Sequence, residues 1–122
     1  MDVVERYLAA VVGHDWQALG ACVADGVVRV GPYGDRYEGR EAYVAFLADT
    51  MPRLLGYEMQ IDRVTYLGDR RALAELSETV EMDGTPVRTP EALVFDLDAD
   101  GRIAHIAIYI QMQPRSGEQF TR

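Results

Sequence analysis

Residues 72–82, ALAELSETVEM, alternate. Ala72, Ala74, Leu76, Val80 and Met82 form one small or apolar series, and Glu75, Ser77, Thr79 and Glu81 form a polar one. A period of two marks a β-strand with one buried and one wet face. Glu78 breaks the pattern by falling on the apolar side. A carboxylate there costs about 2–7 kcal/mol unless it is hydrogen-bonded or neutral.

Asp83-Gly84 follows at once, and Asp-Gly is the dipeptide of a two-residue hairpin turn. Such a turn sets a register in which Met82 faces Thr85, Val80 faces Val87, Glu78 faces Thr89 and Leu76 faces Glu91. Leu93 and Phe95 then share the face of Leu76, as an apolar core requires. Glu91 lies on the face of Glu78, one diagonal away, about 7–8 Å between backbones. Desolvation favours the neutral form of Glu78, and a nearby Glu91 pushes the same way. Pro86 and Pro90 lack a ladder donor and are places where a bulge would change what faces Glu78.

Working outward, the hairpin sits in a series of four strands broken by Gly68-Asp69, Asp83-Gly84 and Asp98–Gly101. The last strand alternates Ile106, Ile108, Ile110 and Met112 with His105, Ala107, Tyr109 and Gln111. Ahead of this meander, Val4, Leu8, Val11 and Val12 recur at helical spacing. Asp15 is an N-cap for a second helix from Trp16 to about Ala24. GVVRVGP and YGDRYEG read as two short strands, and REAYVAFLADTM as a third helix ending near Pro52. Helices followed by an antiparallel meander predict an α+β fold: three N-terminal helices on a curved antiparallel sheet, a cone with an internal pocket. Residues 1–112 read as one domain and residues 113–122 as a polar tail.

Composition narrows the function. The chain has 122 residues, 48% hydrophobic, with a net charge of −8. That charge opposes a nucleic-acid partner and an anionic membrane surface. No apolar run nears the ~18–20 residues of a membrane span, and MDVVERYLAA lacks the order of a signal peptide. Cys22 is the single cysteine, so no internal disulfide forms; it reads as a small core residue. A cytoplasmic setting is the expectation. DLDADGRI carries Asp96, Asp98, Asp100, Gly101 and Ile103 at the spacing of a calcium loop, but its twelfth position is Ala107 where a glutamate is required. No metal and no cofactor are expected.

The run from VERYLAAVVGHDWQAL through YEGREAYVAFL to VFDLDADGRIAHIAIYI resembles a SnoaL-like domain of the nuclear transport factor 2-like superfamily, over about residues 2–112. The resemblance implies a helix-capped cone, often dimeric, with a pocket for a small hydrophobic molecule. The superfamily includes ketosteroid isomerases, polyketide cyclases, limonene epoxide hydrolases and non-catalytic association domains. Ketosteroid isomerases carry an oxyanion-binding tyrosine on the first helix, which corresponds to Tyr7. Their general base corresponds to Gly31 and their second oxyanion donor to Leu93, so both are absent. The aspartate that limonene epoxide hydrolases carry on the last strand corresponds to Ile108.

What the resemblance implies is a cofactor-independent acid–base isomerase or cyclase on a mostly apolar, polyketide-, steroid- or terpene-like substrate. Glu78 would move the proton and Tyr7 would donate to developing oxygen charge. Arg29, Tyr33, Phe46, Leu76, Glu91, Leu93, Phe95 and Ile108 would contact the substrate. The alternative is a non-catalytic ligand-binding or association domain in which Glu78 meets solvent or pairs with Arg29. The family register points Arg29 inward, whereas apolar Val28 and Val30 argue that it faces outward. His105 shares the outer sheet face with Ala107 and Tyr109, and a homodimer through that face is expected.

Overall fold

The structure, a computed structural model, describes residues 2–112. The tail expected at 113–122 lies outside the described residues. Asp2 opens α1 (Val3–Gly13) by accepting the Glu5 N–H at 2.9 Å. This satisfies one of the amides that a helix start leaves unpaired. His14 ends the helix in the left-handed conformation, φ 52°. Asp15 then caps α2 (Trp16–Cys22) by accepting the Ala18 N–H at 3.1 Å. Next come β1 (Val23–Val30), β2 (Arg36–Glu38) and α3 (Arg40–Thr50), with a 3₁₀ turn over Met51–Arg53. The meander is β3 (Glu58–Tyr66), β4 (Arg71–Met82), β5 (Thr85–Leu97) and β6 (Ile103–Ile110).

The six strands form one open, curved sheet in the order β2-β1-β6-β5-β4-β3, and the three helices pack on it. The sheet is mixed, not wholly antiparallel as expected, because β1 runs parallel to β6. Hairpins fix the direction of β3 to β6, but β2, α3 and three strands separate β1 from β6, so no hairpin fixes their relative direction. The β4–β5 register is as read from the turn, with Met82 opposite Thr85, Glu78 opposite Thr89 and Leu76 opposite Glu91. Asp83 and Gly84 both have positive φ, 53° and 78°, as a type I′ turn requires. No bulge interrupts this pairing at Pro86 or Pro90. The Pro90 carbonyl accepts the Gln111 N–H, so its backbone polar groups face away from β4 and the missing N–H costs that ladder nothing.

The core lies between the helices and the inner sheet face. Val4, Leu8, Leu19, Val23, Val27, Tyr43, Phe95, Ile103 and Ile106 are all fully buried there. Cys22 joins them as a small core residue. Among the described residues no helix is long and apolar enough to cross a membrane.

Candidate functional site

Between α1, α3 and the concave sheet lies a cavity of about 180 Å³. From α3, Tyr43, Phe46, Leu47 and Thr50 reach it, followed by Met51, all on one helical stripe. From α1 come Tyr7, Leu8 and Val11, and from the sheet Arg29, Met59, Leu76, Glu78, Glu91, Leu93 and Ile108. A wider open groove between α2 and α3 holds Arg40 and Asp25, already paired at 2.5 Å. The narrower cavity, not that groove, gathers the inner-face ionisable groups.

Glu78 does point inward. The Tyr57 hydroxyl donates to Glu78 Oε2. Tyr57 precedes Met59 by two residues, and Met59 is the cross-strand partner of Glu78, so both stand on the inner face beside it. Glu91, half-buried, stands opposite Leu76 and one diagonal from Glu78 on the same cavity wall. Burial first, then the Glu78 carboxylate, push Glu91 up to about 9, against the opposing pull of Arg29. The proton expected at Glu78 is thus held at Glu91. Burial and the charge of Glu78 also raise the Tyr57 phenol far above its ordinary value.

A second polar pair faces the first. The hydroxyls of Tyr7 and Tyr43 share a hydrogen bond within the core. Burial raises the Tyr43 phenol to about 12, and burial with the adjacent Tyr43 raises Tyr7. Both therefore stay protonated at neutral pH. In such a pair one hydroxyl donates to the other, and the acceptor keeps its own hydrogen for a ligand oxygen.

Arg29 faces inward, with Val28 and Val30 on the outer side. It is 9% exposed, and its guanidinium lies 5.0 Å from the Phe46 ring centre and 6.0 Å from that of Tyr37. Its ion-pair partner is Asp35, at 2.5 Å, and not Glu78. Burial opposes ionisation of Asp35, yet Arg29 holds its carboxyl below the ordinary value. Gly31 makes room for this pair: a Cβ on Gly31 would stand 2.6 Å from Arg29 Nη1. The place that the resemblance assigns to a base is therefore filled by an ion pair.

Two expected contacts fall elsewhere. Tyr33 is 86% exposed, because the Gly31–Asp35 turn carries it away from the cavity. Tyr37 is stacked on Phe46 with ring centres 4.1 Å apart. Phe95 is fully buried under Tyr7, ring centres 5.6 Å apart and edge-on, so it supports the cavity without lining it. Conversely, Tyr43, Tyr57 and Asp35 join the site unannounced. Tyr43 was signalled by its helical spacing from Phe46 and Leu47. Tyr57 lies before the strand begins, and Asp35 in a turn, where periodicity says nothing. His105 stands 3.8 Å from Asp96 on the outer face. Among the described residues no three His, Cys, Asp or Glu side chains gather as a metal group would.

A helix-capped open cone enclosing a mostly apolar cavity with a carboxyl pair defines a protein of the nuclear transport factor 2-like, ketosteroid isomerase-like fold. More narrowly, the chain belongs to the SnoaL-like domain family, whose pattern matches residues 4–106. It is similar to an LEH-like epoxide hydrolase of M. tuberculosis, at 26% identity and a TM-score of 0.76, over 89% of this chain and 80% of that one. A protein of ketosteroid isomerase-like fold from Catenulispora acidiphila, in complex with trimethylamine, is 24% identical with a TM-score of 0.76, over 88% and 83%. A protein from Shewanella denitrificans assigned as a SnoaL-like polyketide cyclase is 16% identical with a TM-score of 0.78, over 89% and 88%. No curated protein matches.

Proposed function

We propose that the chain is a cofactor-independent acid–base enzyme, an isomerase or cyclase acting on a small, mostly apolar carbonyl compound. The observation that carries this reading is the Glu78–Glu91 carboxyl pair on the wall of a partly open, mostly apolar cavity. Paired carboxyls of this kind separate into an acid and a base. Glu78 would accept a proton from the carbon next to the carbonyl. The C–H electron pair moves into the carbonyl, and the Tyr7–Tyr43 pair donates to the oxygen as it gains charge. Glu91, protonated, would return a proton to carbon or oxygen, and the proton taken up by Glu78 then passes to Glu91, so both carboxyls end as they began. The cavity is expected to take a small hydrophobic molecule and neither nucleic acid nor a membrane.

The second reading is a ligand-binding domain without catalysis. It is favoured by one observation: Tyr57 satisfies the Glu78 carboxylate, as a structural pair would. Hydrogen–deuterium exchange separates the two. Cyclohexanone and cyclohexenone are incubated with the chain in D₂O and followed by proton NMR. The enzyme reading expects exchange beside the carbonyl above the buffer rate, reduced about 10²–10⁴-fold in Glu78→Gln. Exchange at the buffer rate, or equal exchange in Glu78→Gln, favours the binding domain.

A further inference from the structure

Pockets that enclose drug-sized ligands measure about 300–1,000 Å³. The cavity here, at about 180 Å³, is little larger than one of about 150 Å³ that holds benzene. Alongside it, between α1 and β3, runs an open groove of about 820 Å³. Leu8 and Met59 line both spaces and form the partition between them. Met59 is also the cross-strand neighbour of Glu78, so the partition stands beside the carboxyl pair.

The groove has apolar walls that the fold leaves uncovered. Val12 is 50% exposed and Ile61 is 46% exposed. Ile61 sits opposite Leu76 on the inner face, yet Leu76 is 2% exposed. An inner-face isoleucine left half open marks a gap between α1 and β3. The register shift just after Ile61 bends the strand at that point. Asp2, Glu5 and Asp62 edge the groove, while Arg63 is held by Glu75 at 2.7 Å. The rim therefore opposes an anionic occupant. Methionine is unbranched and adapts its shape more readily than other apolar side chains.

We propose that the α1–β3 groove is the second half of the ligand site. It takes the uncharged linear apolar chain of a carbonyl compound whose reactive head lies at Glu78, and Met59 is the side chain that yields to join the two spaces. The ligand class is then a small head with a flexible tail, and not a fused polycycle. This rests on the reading of the cavity as a site for an apolar carbonyl compound.

The test is calorimetric titration with a homologous series of straight-chain methyl ketones, from six to eleven carbons. Each methylene that enters an apolar site tightens binding about fourfold. A closed cavity of this size stops the rise near six to eight heavy atoms, by comparison with benzene. The proposal expects the rise to continue beyond that length in the parent. It expects Met59→Trp to stop the rise there. Val12→Asp, at a half-exposed position that the fold tolerates, should lower the ratio of eleven-carbon to six-carbon affinity at least tenfold. If the parent levels off near eight atoms, or if both variants keep the parent's slope, the proposal is overturned while the reading of the cavity stands. If no ketone binds the parent, both fall.

Discussion

Glu78 and Glu91 cannot both be charged cheaply, because they share a half-buried, mostly apolar wall. Glu91 carries the proton, held up to about 9 by burial and by Glu78. Its ordinary value is 4.5. Between those limits the folded chain keeps a proton that the unfolded chain has released. Its contribution to stability is thus complete below about 4.5 and is lost as the pH rises towards 9. Thermal melts should show Tm falling across that window in the parent, and a flatter profile in Glu91→Gln. A parent profile that rises across the window would contradict the assignment. Tyr57 adds a second expectation. Glu78→Gln keeps an oxygen to accept its hydroxyl, whereas Glu78→Leu leaves a part-buried donor unpaired, a loss of about 1 kcal/mol. Melts should therefore rank the Gln variant above the Leu variant. From sequence alone Glu78→Leu looks harmless, since it completes the apolar series of β4; what changes the sign is a tyrosine outside any strand pattern.

At the scale of elements, the β4–β5 hairpin was legible because two local signals agree: alternation fixes the faces, and Asp83-Gly84 fixes the register. That Glu78 and Glu91 share the inner face follows from these alone. The parallel pairing of β1 with β6 was not legible, since nothing local joins them. Arg29 was ambiguous for a related reason. Its neighbours Val28 and Val30 are apolar on the outer side, so alternation pointed the wrong way. Tyr33 was misplaced because the turn after Gly31 reverses the chain before it can enter the cavity. Gly31 itself yields a test. Gly31→Asp, which would place a carboxylate where the resemblance sets the base of ketosteroid isomerases, should destabilise by about 1–3 kcal/mol through overpacking against Arg29 and Asp35. An unchanged Tm would show that this ion pair moves aside freely. In the β5–β6 loop, Asp98 Oδ1 accepts the N–H groups of Asp100 at 2.9 Å and Arg102 at 3.0 Å. That carboxylate closes a turn. Millimolar calcium should leave Tm unchanged, and an upward shift would reveal a bound ion.

For the molecule as a whole, the outer sheet face presents Val94 opposite Ala107 and Ala92 opposite Tyr109, with Tyr109 62% exposed. Such a mixed surface suits a two-fold contact. A homodimer is therefore expected by light scattering at micromolar concentration, and a monomer would remove that interface. The inner face is where the functional claim rests: a carboxyl pair that shares one proton inside an apolar cone. The most direct measurement is a carbon-13 NMR titration of the chain labelled at the glutamate carboxyls. One glutamate should hold its proton to about pH 9 in the parent. In Glu78→Gln the same carboxyl should titrate lower, since its charged neighbour is gone, but still above its ordinary 4.5, since burial, the larger cause, remains. If every glutamate titrates in the ordinary carboxylate range, the pair does not share a proton and the acid–base account fails.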